Sequence, residues 1–264
     1  MHVFSYIKLY FLKYYYKILQ LKEKNIVLST IPINTFNAIT HEIAGYAGGF
    51  ILDYKNKHIV ITAAHVIKEP RLIGINLEIY QGKPNIVFYK PYPILSMKLK
   101  PNLPSPDKLG KFKNLEDIFE KSSNECDLVY AQIPNNITPK EIDINSPFAN
   151  ELKRIIPITF PIKISPNEKY KFYGLRHVEN TNGIQFFEPI FRNDLSIVRQ
   201  DSYYIYFKTK QTFKNKISGC SGTPILDKEG NIISMIVAQH ENYIKGLNLG
   251  LLEAIFFAAY DCEV

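Results

Sequence analysis

The sequence predicts a mainly β protein of antiparallel strands, with helical segments at its two ends. In the second half of the chain, runs rich in β-branched and aromatic residues recur about every ten to twenty residues and are separated by turns. These runs cover residues 169–174, 183–190, 202–208 and 232–238. Such spacing fits an antiparallel barrel better than strand-helix-strand units. The length of 264 residues, 46% of them hydrophobic, is enough for one large β domain or two small ones.

The first predicted element is an amphipathic helix over residues 3–21. Phe4, Ile7 and Phe11 fall on one helical face, whereas Lys13 and Lys17 fall on another. Because lysines interrupt it, the segment contains no apolar run of about 18 to 20 residues that would span a bilayer. We expect residues 1–30 to form a helical extension that packs on the protein body or on a regulatory protein partner. Docking on a membrane surface is the less favoured alternative.

The next elements are two strands, residues 48–51 and 59–64, with a polar turn over 53–57 between them. His65 follows the second strand directly. Histidine titrates close to neutral pH, so it can take the proton of a serine hydroxyl, which is a weak nucleophile by itself. His65 is therefore a candidate general base.

Six prolines between residues 80 and 123 exclude central strands, and we expect mostly loop there, with one short helix near residues 115–121. Asp127 then begins an alternating, strand-like run. A buried carboxylate at this position could hold the tautomer of an imidazole and stabilise the imidazolium.

The stretch 218–224 reads Ser-Gly-Cys-Ser-Gly-Thr-Pro. Its glycines flank Ser221, so that the hydroxyl can stand clear of a tight turn while backbone N–H groups point inward. Taken alone, the stretch is also typical of an ordinary turn. Residues 250–260 have the apolar density of a helix that closes the domain.

Three motifs occur in the same order as in the trypsin-like serine peptidases: Thr-Ala-Ala-His, an aspartate before alternating aliphatics, and Gly-x-Ser-Gly-x-Pro. Residues 62–65, 127–133 and 219–224 carry them. The chain resembles the bacterial intracellular members of this family over about residues 45–255. The resemblance implies a chymotrypsin-type fold over residues 31–264, with two antiparallel six-stranded β-barrels and the active site between them.

The resemblance also implies the site residues. His65, Asp127 and Ser221 would be the catalytic triad, and the backbone N–H groups of Gly219 and Ser221 would form the oxyanion hole. Asn215, Ala238 and His240 would border the pocket for the substrate side chain. Since no aspartate stands at the base of this pocket, we expect no preference for Lys or Arg, and His240 would favour an acidic or amide side chain.

Cysteine usage bears on the compartment and on the nucleophile. Cys126, Cys220 and Cys262 form no disulfide-framework pattern, so we expect reduced thiols and a cytoplasmic location. Cys220 is an alternative nucleophile, as in viral cysteine proteases of the same fold. The family motif instead selects Ser221, between Gly219 and Gly222.

Charge and motif content decide among the remaining function classes. Residues 1–24 carry five lysines and one glutamate, so +4 of the net charge of +7 lies there. The body is only mildly basic, which disfavours nucleic-acid binding. Only His65 among six histidines lies in a motif, so we expect no metal and no cofactor. The sequence predicts a serine endopeptidase acting on protein substrates. The alternative is an inactive trypsin-like fold that serves as a protein-binding scaffold or sensor.

Overall fold

The structure is a computed structural model, and it describes residues 23–37, 40, 43–66, 71–80, 83–89, 92–93, 127–135, 139–141, 147–148, 151–179, 185–210, 217 and 219–257. Several sequence predictions lie outside the described residues. They are the amphipathic helix over residues 3–21, the short helix near 115–121, Asn215, Cys126 and Cys262.

The N-terminal half forms one curled sheet of eight strands. These are Ile31–Asn37 (β1), Ile43–Tyr54 (β2), Lys57–Thr62 (β3), Arg71–Tyr80 (β4), Lys83–Tyr89 (β5), Tyr92–Pro93 (β6), Val129–Ile133 (β7) and Ile155–Pro157 (β8). The order is β5-β4-β1-β2-β3-β7-β6, and β8 pairs in parallel with β2. Pro84 lies in β5, at the edge of the order, where a missing N–H costs the sheet little.

Strands β2 and β3 are buried on both faces. Phe50 and Ile61 pack in the cluster that faces the C-terminal half, whereas Ile51 and Val60 pack in a second cluster on the other face. Neighbouring side chains of a strand point to opposite faces, so the continuous apolar run before His65 makes β3 an interior strand. The residues that follow β3 therefore start from a fixed position.

The C-terminal half forms a closed barrel with the strand order β10-β11-β14-β13-β12-β9. These strands are Tyr170–Glu179 (β9), Gln185–Gln200 (β10), Tyr204–Lys208 (β11), Pro224–Leu226 (β12), Ile232–His240 (β13) and Tyr243–Asn248 (β14). Phe172, Ile205, Phe207, Ile236 and Ile244 belong to the cluster inside the barrel. Shifts of register in β10 let this one strand pair with β9 over its first part and with β11 over its last.

Two short helices, Lys24–Ser29 (α1) and Leu252–Phe256 (α2), join the cluster between the two halves. Ile26 and Val27 of α1 are fully buried, and the ring of Phe256 in α2 lies 5.0 Å from that of Tyr54. Each such apolar side chain stabilises the fold by about 1.5–3 kcal/mol. Within the described residues, no helix combines the length and the apolar character needed to cross a membrane.

The mainly β class, a closed six-stranded C-terminal barrel and a C-terminal helix are thus confirmed. The helix starts two residues later than predicted, because residues 249–251 form a 3-10 turn before it, and residues 258–260 of the prediction lie outside the described residues. In the N-terminal half, the described pairings give eight strands in an open order, so a second six-stranded barrel stays a prediction. The boundary of the N-terminal extension at residue 30 also stays a prediction, although α1 within it packs in the core.

Candidate active site

Ser221 lies in the tight loop that enters β12. Gly219 and Gly222 on either side adopt φ values of +89° and +88°, a region that side chains other than glycine's disfavour. A Cβ on Gly222 would also collide with the carbonyl oxygen of Gly48 and the hydroxyl of Thr62. The loop therefore requires glycine for both its conformation and its packing against the N-terminal sheet.

The serine loop is joined to that sheet by backbone contacts. The N–H of Gly48 donates a 2.8 Å hydrogen bond to the carbonyl oxygen of Ser221. The hydroxyl of Thr62 donates to the carbonyl oxygen of Gly48 at 2.7 Å, which orders the same part of β2. Ser221 is thus positioned by β2 and by the end of β3, the strand that leads to His65.

His65 and Asp127 are brought together by the pairing of β3 with β7. Thr62 pairs with Val129. His65, three positions after Thr62, therefore meets Asp127, two positions before Val129, at the end of the sheet. His65 lies in a 3-10 turn, Ala64–Val66, that starts just after β3. Its backbone N–H donates to Asp127 Oδ1 at 2.8 Å, and its Nδ1 lies 2.7 Å from Asp127 Oδ2.

The second ring nitrogen of His65 faces the serine. His65 Nε2 lies 2.9 Å from Ser221 Oγ. With its proton on Nδ1, the imidazole donates to the carboxylate of Asp127 and leaves Nε2 to accept the hydroxyl proton of Ser221. The three side chains thus form one continuous line of hydrogen bonds across the junction of sheet and barrel.

The carboxyl of Asp127 stays ionised despite its burial. Its side chain is only 14% exposed, and burial by itself would raise its pKa. The charge of His65, the two hydrogen bonds from His65 and the charge of Lys245 outweigh this effect, so the pKa lies below its ordinary value. Asp127 can therefore stabilise positive charge on the imidazole at neutral pH.

In the described part of the loop, two backbone N–H groups have no backbone partner among the described residues. The other described N–H groups of the loop are bonded: those of Cys220, Gly222 and Thr223 donate to the carbonyl oxygens of Ile217, Ile236 and Cys220, respectively. Among the described residues, those of Gly219 and Ser221 have no backbone acceptor. Unpaired N–H groups beside a nucleophile are what a developing oxyanion needs.

Cys220 points away from this line and into the closed barrel. Its side chain is fully buried in the barrel cluster, and a Cβ placed on Gly174 would lie 2.8 Å from its Sγ. Burial raises the pKa of the thiol to about 12, so the thiolate is hardly populated at neutral pH. The geometry favours Ser221 over Cys220 as the nucleophile.

Two of the three predicted pocket residues are described. Ala238 and His240 are half-buried near the end of β13, and the carbonyl oxygen of Ile236 in the same strand accepts the N–H of Gly222 at 2.7 Å. This strand therefore runs past the serine loop. The binding role of Ala238 and His240, like that of Asn215, stays a prediction.

The sequence did not reveal two residues that act on the site. Gly48 binds the serine loop, and the charge of Lys245 helps to lower the pKa of Asp127. The adjacent glycines at 48 and 49, in a strand, are a signal for close backbone approach. A lysine within the otherwise mostly apolar stretch 243–249 is a signal for a buried charge. Within the part of the chain that the structure describes, no group of three or more His, Cys, Asp or Glu side chains could hold a metal ion.

Several solved structures resemble this fold. A mutant of human heparin binding protein matches with a TM-score of 0.50 and 11% identity, over 89% of this chain and 92% of that one. The serine endoprotease from Yersinia pestis matches with a TM-score of 0.46 and 13% identity, over 90% of this chain. The human pathogenic astrovirus serine protease matches with a TM-score of 0.40 and 10% identity, over 84% of this chain and 89% of that one.

The chain spans only 65% of the length of the Yersinia protein. No protein-family model and no curated protein matches the sequence. At such low identities the structural likeness defines the fold alone. The closed barrel, the curled sheet and the likeness to heparin binding protein give the chain the chymotrypsin-like fold, the fold of trypsin-like serine proteases.

Proposed function

We propose that this protein is a serine endopeptidase that hydrolyses peptide bonds of protein substrates through an acyl-enzyme intermediate. The observation that carries the proposal is the line of hydrogen bonds from Asp127 through His65 to Ser221. These residue types in this geometry are the requirements for activating a serine hydroxyl. The trypsin-like fold supports the same reaction class by analogy.

In the proposed mechanism, Ser221 Oγ attacks the carbonyl carbon of the scissile bond while His65 Nε2 takes its proton. Asp127 holds the proton on Nδ1 and stabilises the imidazolium. The imidazolium then gives its proton to the leaving amine, and a water molecule activated by His65 hydrolyses the acyl-enzyme. The backbone N–H groups of Gly219 and Ser221 would bind the oxyanion, at about 3–4 kcal/mol per donor.

Substrate binding is proposed for the strand beside the serine loop. Ala238 and His240 lie in β13, which contacts the loop through the hydrogen bond between Gly222 and Ile236. Asn215 would border the same pocket. His240, whose Nε2 lies 3.9 Å from Glu241 Oε1, would favour an acidic or amide side chain of the substrate.

The experiment that tests the proposal is labelling with a fluorophosphonate, a reagent that reacts only with an activated serine. We expect stoichiometric labelling of the wild-type protein and of Cys220→Ala, and none of Ser221→Ala. Because Cys220 is adjacent to Ser221 and buried in the barrel, Cys220→Ala is the matched control for disturbance of the loop.

Two outcomes would contradict the proposal. If the folded wild-type protein is not labelled, the inactive scaffold or sensor becomes the better description. If Ser221→Ala still cleaves a peptide library and Cys220→Ala does not, the nucleophile is wrongly assigned.

A further inference from the structure

The residue that joins α1 to β1 carries a buried hydroxyl that the proposed mechanism does not use. Thr30 follows α1 with an extended backbone and is 1% exposed. Its hydroxyl donates a 2.6 Å hydrogen bond to the carbonyl oxygen of Tyr173 in β9, 143 positions away in the sequence. A buried hydroxyl without an acceptor would destabilise the fold. The bond therefore fixes the place of Thr30 against the barrel.

On the barrel side, this bond reaches the strand that supports the serine loop. Gly174 follows Tyr173 in β9. A Cβ placed on Gly174 would lie 2.8 Å from Cys220 Sγ and 3.3 Å from Thr223 Oγ1, two atoms of the serine loop. Packing this close leaves the loop little room to move relative to β9. The bond from Thr30 thus ends one residue before the point where β9 contacts the loop.

On the sheet side, the same segment reaches the serine loop through β2. Pro32, two positions after Thr30, pairs with Gly48. The N–H of Gly48 donates to the carbonyl oxygen of Ser221 at 2.8 Å. Residues 30–32 are therefore connected to the serine loop by two routes, one through β9 of the barrel and one through β2 of the sheet.

Further bonds join this N-terminal segment to the barrel. The carboxylate of Glu23 accepts from Lys171 Nζ in β9 at 2.8 Å. Arg154 donates its backbone N–H to α1 and its guanidinium to the carbonyl oxygen of Gly230, in the turn between β12 and β13. Both side-chain links are partly exposed, so water weakens them, whereas the bond from Thr30 is buried. Thr30 therefore provides the most rigid of these links.

The proposed function requires two atoms from different halves to stay close, since His65 Nε2 lies 2.9 Å from Ser221 Oγ. Building on that function, we propose that Thr30 is a positioning residue whose hydroxyl fixes the barrel against the sheet beside the serine loop and keeps this distance short. Thr30 acts through β9 on one side and through the pairing of Pro32 with Gly48 on the other.

The test is steady-state kinetics of Thr30→Val on a peptide substrate. Valine keeps the branched shape and suits an extended backbone, but it has no hydroxyl. We expect kcat to fall about 10- to 100-fold, because a misplacement of about 1 Å can lower a rate by that much. KM should stay within about twofold, since the strand proposed to bind substrate lies in the barrel together with Ser221. Thr30→Ser should restore kcat to within about threefold. If Thr30→Val does not fold, Thr30→Ala carries the same test.

Tyr170→Phe is the matched control. The hydroxyl of Tyr170, in the same strand β9, also donates at 2.6 Å to a backbone carbonyl, but the acceptor is Ser165, only five positions away. This variant should lose a similar amount of stability, with kcat within about threefold of wild type. Equal losses of kcat in Tyr170→Phe and Thr30→Val, or an unchanged kcat in Thr30→Val, would overturn the proposal.

Hydrogen exchange of backbone amides, followed by NMR, tests the docking without turnover. The N–H of Gly48 donates across the halves to Ser221, whereas that of Gly222 donates to Ile236 within the barrel. In Thr30→Val, the Gly48 amide should exchange about tenfold faster, and the Gly222 amide at nearly the wild-type rate. Unchanged exchange at Gly48, or equal acceleration at both amides, would overturn the proposal. An inactive wild-type protein in which the substitution accelerates exchange only at Gly48 would refute the proposed function but support the role of Thr30 in docking.

Discussion

The two halves of the molecule contribute unequally to the proposed triad. The curled N-terminal sheet supplies His65 and Asp127, whose contact follows from the register of β3 and β7 within one sheet. The closed C-terminal barrel supplies Ser221 and the loop N–H groups. The histidine–aspartate pair is thus internal to one half, whereas the histidine–serine contact depends on how the halves dock.

This difference shows where the site is robust and where it is fragile. A strand register with a buried face resists slippage, because a shift by one residue would reverse every side chain. Docking, in contrast, involves the bond from Gly48 to Ser221 and the close approach of Gly222, in addition to the apolar cluster between the halves. Substitutions at the contacts between the two halves should therefore lower activity more than substitutions of similar size within one half.

The largest effect on turnover is expected from Asp127→Asn, which removes the charge of the carboxylate but keeps the shape of the side chain. The amide favours the wrong imidazole tautomer, and the same change in a well-studied triad lowers turnover about 10⁴-fold. Steady-state kinetics on a peptide substrate measures it. Asp194→Asn is the control, since the carboxylate of Asp194 accepts an exposed N–H, that of Lys210. Nearly normal turnover in Asp127→Asn would mean that another acid orients His65.

The same variant has a pH signature in stability. Because the folded pKa of Asp127 lies below its ordinary value, its ionisation adds stability above the unfolded pKa of about 3.9. That contribution is lost as the pH falls through the lower folded pKa. The difference in melting temperature between wild type and Asp127→Asn should therefore narrow below about pH 4.

The next largest effect tests the docking directly, with Gly222→Ala compared with Gly230→Ala. Both glycines have φ near +90°, with values of +88° and +86°, so both variants lose about 1–2 kcal/mol from backbone strain. A Cβ at Gly230 meets only the end of the Arg154 side chain, at 3.1 Å. At Gly222 it collides with the backbone of Gly48, so kcat/KM should fall about 100-fold or more. Equal losses of activity in the two variants would refute the docking argument.

A smaller effect is expected on the free energy of unfolding, from the buried charge of Lys245. Lys245 has a folded pKa of about 8, below that of an unfolded lysine, so the unfolded chain binds more protons between about pH 8 and 10.4. Wild-type stability should rise with pH through that window. Lys245→Met should be more stable than wild type at pH 7, by about 1–3 kcal/mol, and the gain should shrink by pH 10. Denaturant unfolding at the two pH values measures both; a constant difference would contradict the assigned shift.

The smallest effect is expected from deleting residues 1–22. A deletion that ends at residue 22 retains α1, whose Ile26 and Val27 are buried, and so keeps the described part of the core. Peptide hydrolysis and melting temperature should stay nearly unchanged, while partner binding or location changes. Deletion of residues 1–30 is the contrast, because it removes α1 and should destabilise the fold strongly. Unfolding after the shorter deletion would show that residues 1–22 belong to the core.

The sequence predicted those features that depend on local pattern and chain order. The apolar run before His65, the aspartate before an alternating run and the glycines around Ser221 each have a local signature. The spacing of short strands predicted the C-terminal barrel. These signals are local because strand alternation and turn chemistry are properties of neighbouring residues.

What could not be predicted depends on contacts distant in sequence. No pattern assigned a strand to residues 71–80, which form β4 and pair with β1 and β5. The mostly apolar stretch around Lys245 indicates a buried charge, but the groups that surround this charge, such as the ring of Tyr204, are distant in sequence. Gly48 and Ser221 lie 173 positions apart in the sequence, and no local pattern indicates that they are in contact.

The place of β14 in the barrel has a consequence for synthesis on the ribosome. β14 lies between β11 and β13, so the ring of strands can close only after residues 243–248 have left the exit tunnel. The sheet that carries His65 and Asp127 emerges first. Ser221 can reach its position in the folded barrel only after β14 has emerged. A nascent chain of this proposed peptidase is therefore unable to cleave itself or its neighbours on the same polysome until β14 has emerged.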